Sequence, residues 1–176
     1  MTIEIKKRPS NEFAKDTVNA ASQYKYFMKK PERKLQDYFR QWKVILIVSV
    51  IWEILILAVM IAFGPDAILE VCFAVLALNL IYCSIMLRSL IRYKKVIMED
   101  ERLSYLTIDE SGVEITKDDV QNIKVAWSNV AFIRRFDAAF CFFPKNLTSF
   151  VISVDMDYSE QVLNEIKQLG VDVKVI

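Results

Sequence analysis

Two apolar runs, Val44 to Phe63 and Ile68 to Leu87, separated only by Gly64-Pro65-Asp66 and Ala67, constrain this chain more than any other feature. At ~1.5 Å rise per residue, a helix of about 20 residues matches a hydrocarbon core of roughly 30 Å. Helices in a water-soluble core keep a polar face, and these runs have almost none. They read as a transmembrane hairpin over residues 44–87.

The flanking charges orient it. Lys29, Lys30, Arg33, Lys34, Arg40 and Lys43 precede the first run and Arg88, Arg92, Lys94 and Lys95 follow the second, whereas the connection has no cation and carries Asp66 with Glu70 nearby. The positive-inside rule then places both termini in the cytoplasm, with Trp42 and Tyr93 at interfacial positions. The first 40 or so residues are too polar for a secretory signal peptide. Residues 1–43 carry eleven Lys or Arg against five Asp or Glu, and residues 103–176 carry seven against eleven, so the basic end suits an anionic lipid surface. Topology accounts for these cations, and no nucleic-acid motif accompanies them.

The chain has no His, which removes His-based triads, His metal ligands and a His pH switch. With three Gly there is no phosphate-cradling loop. Cys72, Cys83 and Cys141 lack metal-ligand spacing and fall in apolar segments, as buried small hydrophobes do. The acid pairs Asp118-Asp119 and Asp155 with Asp157 sit at turns. We expect a non-enzymatic protein without metal, cofactor, small-molecule substrate or nucleic-acid partner.

Four segments follow. Residues 1–43 open with alternation over Thr2 to Lys7, then a helix from Asn11 to Met28 capped by Ser10, its face carrying Phe13, Thr17, Ala20, Tyr24 and Phe27. After Pro31, the stretch from Glu32 to Lys43 reads as an amphipathic lead-in. Residues 44–87 are the hairpin and 88–102 a basic juxtamembrane linker. In 103–176 the period becomes two, with strands over 103–109, 113–117, 123–127, 130–136, 139–143 and 149–155. A last helix runs from an N-cap at Ser159 to Leu169, ends at Gly170, and buries Val162, Leu163, Ile166 and Leu169. The expected class is an α+β membrane protein: a helical hairpin, then a small antiparallel barrel or sandwich closed by a C-terminal helix.

Several residues stand out. Glu53 lies near the middle of the first span, where a lone carboxylate costs at least ~2.5 kcal/mol. Asn79 lies at nearly the same depth in the second span, so a Glu53–Asn79 hydrogen bond is expected; an oligomer contact or a membrane-embedded partner is the functional alternative. Arg134 and Arg135, with Arg92, Lys94 and Lys95, are candidates for a partner or lipid phosphates. Trp127 is expected to pin the core, its N–H on a carbonyl. The run Phe140-Cys141-Phe142-Phe143 ignores alternation, so its strand is buried on both faces, covered by Thr2 to Lys7, or a docking surface.

The order of elements, with Asp109, Glu110, Gly112, Val113, Thr116, Trp127, Ser128 and Val130 and the terminal helix, resembles the YcxB-like bacterial membrane proteins. The resemblance implies a bacterial inner-membrane location and a pleckstrin-homology-like (PH-like) C-terminal domain, with Gly112 and Trp127 as its core signature. Val154-Asp155-Met156-Asp157 stands where the family often has a Pro-Lys pair, and Pro144-Lys145 lies one strand earlier. Two functions are compatible: a membrane-anchored module binding a protein, peptide or lipid headgroup, or as a homo-oligomer; or an immunity protein against a membrane-active toxin.

Overall fold

The computed structural model describes residues 2–5, 9–99, 104–117, 121–145 and 150–176. The first expected strand is therefore seen as β1 (Thr2–Ile5), while 6–8, 103, Asp118-Asp119 and Ser149 lie outside the described residues. The chain forms two units: one from the residues up to Gln36 together with those from Lys94 on, the other over Asp37–Tyr93.

In the first unit, β1 pairs antiparallel with β2 (Ser104–Asp109), which pairs with β3 (Gly112–Lys117), which pairs with β4 (Gln121–Ala126). A second antiparallel sheet holds β5 (Val130–Arg135), β6 (Ala139–Pro144) and β7 (Ile152–Asp155). Among the described residues no strand pairing joins the sheets, so the barrel is not closed. Between them lie Ile3, Leu106, Ile108, Val113, Val125, Ile133, Phe140, Phe142, Ile152 and Val154, joined by Val162 and Ile166 from α5 (Ser159–Gln168). Tyr158 holds the N-cap position of α5, so Ser159 is its first residue and not the expected cap. Asp155 accepts from Asp157 N–H and starts a 3-10 turn that feeds the helix.

All six β6 residues are buried because the strand has cover on both faces. Phe140 and Phe142 face the other sheet. Cys141 and Phe143 face α1 (Asn11–Ser22) and α2 (Tyr24–Lys29), where Ala20, Ala21, Tyr24 and Phe27 lie over them. Phe143 stacks on Phe132 at 4.6 Å and meets Phe27 edge-on at 5.6 Å. Each buried Phe contributes roughly 1.5–3 kcal/mol, so this second layer of core is a major stabiliser.

Ser10 caps α1 through Phe13 N–H at 3.0 Å, a contact worth about 1 kcal/mol. The single helix expected over Asn11 to Met28 breaks at Gln23. Its buried amide donates to Gln36 O at 2.6 Å and accepts from Gln36 N–H at 3.1 Å, tying the helix break to a segment 13 residues on. The lead-in also differs: residues 34–37 are not helical, and Asp37 caps α3 (Tyr38–Phe63) by accepting from Arg40 N–H.

The second unit is α3 followed, after Gly64-Pro65-Asp66, by the hairpin part of α4 (Ala67–Glu99). Gly64 has φ +87°, which lets the chain leave α3 at no side-chain cost. Both helices are long and apolar enough to cross a membrane. Less exposed residues of α3, Phe39, Trp42, Leu46, Ser49, Glu53, Ile56 and Met60, alternate at three and four, whereas those of α4 form a broader stripe that includes Phe73, Leu76, Asn79, Leu80, Cys83, Met86, Leu87 and Leu90. The α3 spacing makes a heptad seam. Residues 88–99 continue α4, since neither Gly nor Pro interrupts them.

Candidate functional site

The seam places Asn79 against Ser49, not Glu53. Asn79 Nδ2 donates to Ser49 Oγ at 3.0 Å, and Cys83 Sγ lies 3.5 Å from Asn79 Oδ1. Glu53, one turn beyond Ser49 on the same face, leaves its buried Oε2 without a hydrogen-bond partner. The Ser49 hydroxyl, one turn from Glu53, takes the Asn79 donor. Trp42 meets the ring of Tyr82 edge-on at 5.8 Å, within the hairpin.

The paired arginines separate. Arg134 shares a face with Phe132 and Phe136 and is buried, its guanidinium 4.7 Å from the Phe27 ring centre and 5.1 Å from that of Phe136. It donates to Pro31 O, closing the end of α2 over the sheet. Burial lowers its pKa, partly opposed by Glu32. A guanidinium so engaged is a strap within the fold. Arg135 points the other way and is exposed, its backbone N–H donating to Ile176 O at 3.0 Å. Arg92, Lys94 and Lys95 all lie on α4; Arg92 and Lys95 are exposed, and Lys95 pairs with Glu99 at 3.4 Å.

Gly112 and Trp127 do come together, at the β2–β3 turn. Asp109 Oδ1 accepts from Ser111 N–H at 2.7 Å, from Gly112 N–H at 3.0 Å and from the Ser111 hydroxyl. The Ser111 hydroxyl first, then these N–H groups and Lys124, hold the Asp109 carboxyl at about 2. The Trp127 indole donates to Asp109 O at 2.8 Å. A Cβ at Gly112 would lie 2.2 Å from Val125 O, so only glycine lets β4 approach. Trp127, half-buried in a 3-10 turn, packs on the inter-sheet core. The motif is a structural lock.

Chemically reactive groups are engaged likewise. Burial pushes the Cys141 thiol up to about 12, leaving it unreactive. Burial also raises Tyr24, whose hydroxyl donates to Pro144 O. Among the described residues no three of Cys, Asp and Glu gather to hold a metal ion. The chain matches no family model and no curated protein.

One feature was missed in the sequence. After α5 and a short turn, residues 174–176 run parallel to β5 and bond to its outer edge, with Ile133 N–H to Lys174 O at 2.9 Å and Ile176 N–H to Ile133 O at 2.9 Å. The alternation Val171-Asp172-Val173-Lys174-Val175 was its available signal. A cleft of about 520 Å³ opens alongside, between Trp127, Ser128, Val130, Ala131 and Lys145 on one side and Val171 to Lys174 on the other.

Proposed function

We propose that the chain is a non-enzymatic, membrane-anchored interaction module: α3 and α4 cross a bacterial inner membrane, and the folded unit is a PH-like domain on the cytoplasmic face. The observation that carries this reading is the pairing of β1 with β2. A strand encoded before the hairpin completes a sheet encoded after it, so a membrane-crossing hairpin must return to the side it left. The cations at both hairpin ends favour the cytoplasm for that side. Aliphatic side chains such as Ile47, Ile54, Val71 and Leu78 are at least 60% exposed, an apolar surface far beyond what a water-soluble monomer carries and suited to lipid. A four-stranded and a three-stranded antiparallel sheet with a C-terminal helix on the shared core support the PH-like reading.

Fusions test it. A fluorescent protein joined at either end should fluoresce and alkaline phosphatase at either end should be inactive; an active phosphatase at one end overturns the reading. The protective alternative, interception of a membrane-active toxin, is favoured by one observation, the partnerless Glu53 oxygen inside the seam. If it holds, Glu53→Gln abolishes protection in cells challenged with such a toxin while insertion is unchanged.

A further inference from the structure

We propose that the outer edge of β5 is a strand-acceptor site, held here by the chain's own residues 171–176, that takes in their place an extended peptide of a partner protein with apolar side chains at alternate positions. This rests on reading the folded unit as an interaction module and names what that module binds.

The edge strand of a sheet offers a row of unpaired backbone groups, and an added strand binds through them while alternate side chains enter pockets. At β5 this has happened within one chain. Three backbone hydrogen bonds join the segment to the edge, from Ile133 N–H to Lys174 O, Arg135 N–H to Ile176 O and Ile176 N–H to Ile133 O. By contrast β5 and β6 pair from Val130 to Arg135, interrupted only by a register shift between Val130 and Phe132. The segment's side chains hold it lightly: Val175 is 41% exposed, and Lys174 is exposed with Glu32 at 3.6 Å as its partner. Exposed ion pairs of that kind contribute little. Val171 and Val173, two residues apart, pack partly against the inter-sheet core, and Ile176 packs on the core under α1 and α2, so apolar side chains at alternate positions are accepted beside this edge.

The segment also covers the edge incompletely. Residues 171–173 curl on themselves, with Val173 N–H on Val171 O at 3.2 Å, and leave the 520 Å³ cleft beside Val130 and Ala131. A peptide lying straight along β5 fills that space and gains contacts the built-in segment lacks. The cations lining the cleft favour a peptide over a lipid headgroup, because Lys145 Nζ already donates to Ser128 O at 2.8 Å and Lys174 pairs with Glu32 at 3.6 Å.

The built-in segment lowers apparent affinity by the fraction of time the edge is covered. The test uses the full chain in lipid nanodiscs and a dye-labelled peptide with the sequence of residues 170–176, followed by fluorescence anisotropy. A chain ending after Gly170, and the milder Ile176→Pro that removes one edge donor, should bind at least tenfold more tightly than the unaltered chain. Arg135→Pro added to either should cancel the gain, since the Arg135 N–H faces the edge and not β6. A peptide of the same composition with its alternation scrambled should not bind. Equal binding by all variants, no binding by folded variants, or a stable dimer that exchanges the segment between copies would each overturn the proposal. None of these results bears on the fusions that test the membrane-anchored reading.

Discussion

Thr2 and Thr107 stand opposite each other in neighbouring antiparallel strands, their hydroxyl oxygens 3.3 Å apart across 105 residues of chain that include the whole apolar hairpin. The sheet therefore cannot be completed until both hairpin helices have been made. Loop-closure entropy rises only slowly with length, and the pre-formed hairpin shortens the effective loop further.

The β2–β3 lock makes the sharpest stability prediction. Gly112→Ala drives a methyl into Val125 O and Ala126 Cα, backbone atoms that cannot step aside as a side chain does. We expect a loss of about 1–3 kcal/mol, typical of overpacking, in urea titration of the detergent-solubilised chain.

The same turn gives a pH signature. The folded Asp109 carboxyl titrates at about 2, below its ordinary 3.8, so its contribution to stability is complete above about pH 4 and is lost as pH falls towards 2. Asp109→Ala should remove that part of the acid dependence. An identical acid midpoint shift in both proteins would contradict it.

Much of this architecture was legible because burial imposes periods. Strands alternate between core and solvent, so β2 to β7 were found to within a few residues, and the uninterrupted Phe140 to Phe143 marked a strand buried on both faces. What escaped depends on partners distant in sequence. Gln23 breaks a helix because its amide bonds to Gln36. Arg134 is buried because α2 lies over Phe132 and Phe136, and charge alone pointed to solvent. Asn79 pairs with Ser49 because axial depth carries no rotational phase. The strand-like segment after Gly170 was overlooked for its brevity.

The two arginines should separate experimentally. Arg134→Ala removes a charge-assisted hydrogen bond and two ring contacts, a loss of roughly 2–4 kcal/mol. Arg135→Ala, at an exposed side chain, should change stability by no more than about 0.5 kcal/mol. Equal effects in urea titration would refute the strap.

In the hairpin, Ser49→Ala should weaken helix association by about 0.6 kcal/mol, the usual value for such intramembrane bonds, read from unfolding in mixed micelles. Glu53→Leu leaves the Asn79–Ser49 bond in place and removes a partnerless oxygen, so it should not destabilise the pair. Destabilisation by Leu exceeding that of Ser49→Ala would mean Glu53 does pair within the seam.

The central claim is that chain on both sides of the apolar hairpin builds one folded unit. The most direct measurement is disulfide formation in intact membranes by the chain carrying Thr2→Cys and Thr107→Cys together, since opposed strand residues meet the geometry a disulfide needs. We predict rapid intramolecular cross-linking that requires both substitutions and competes out any dimer. Absence of the cross-link, or cross-links only between chains, would contradict the account.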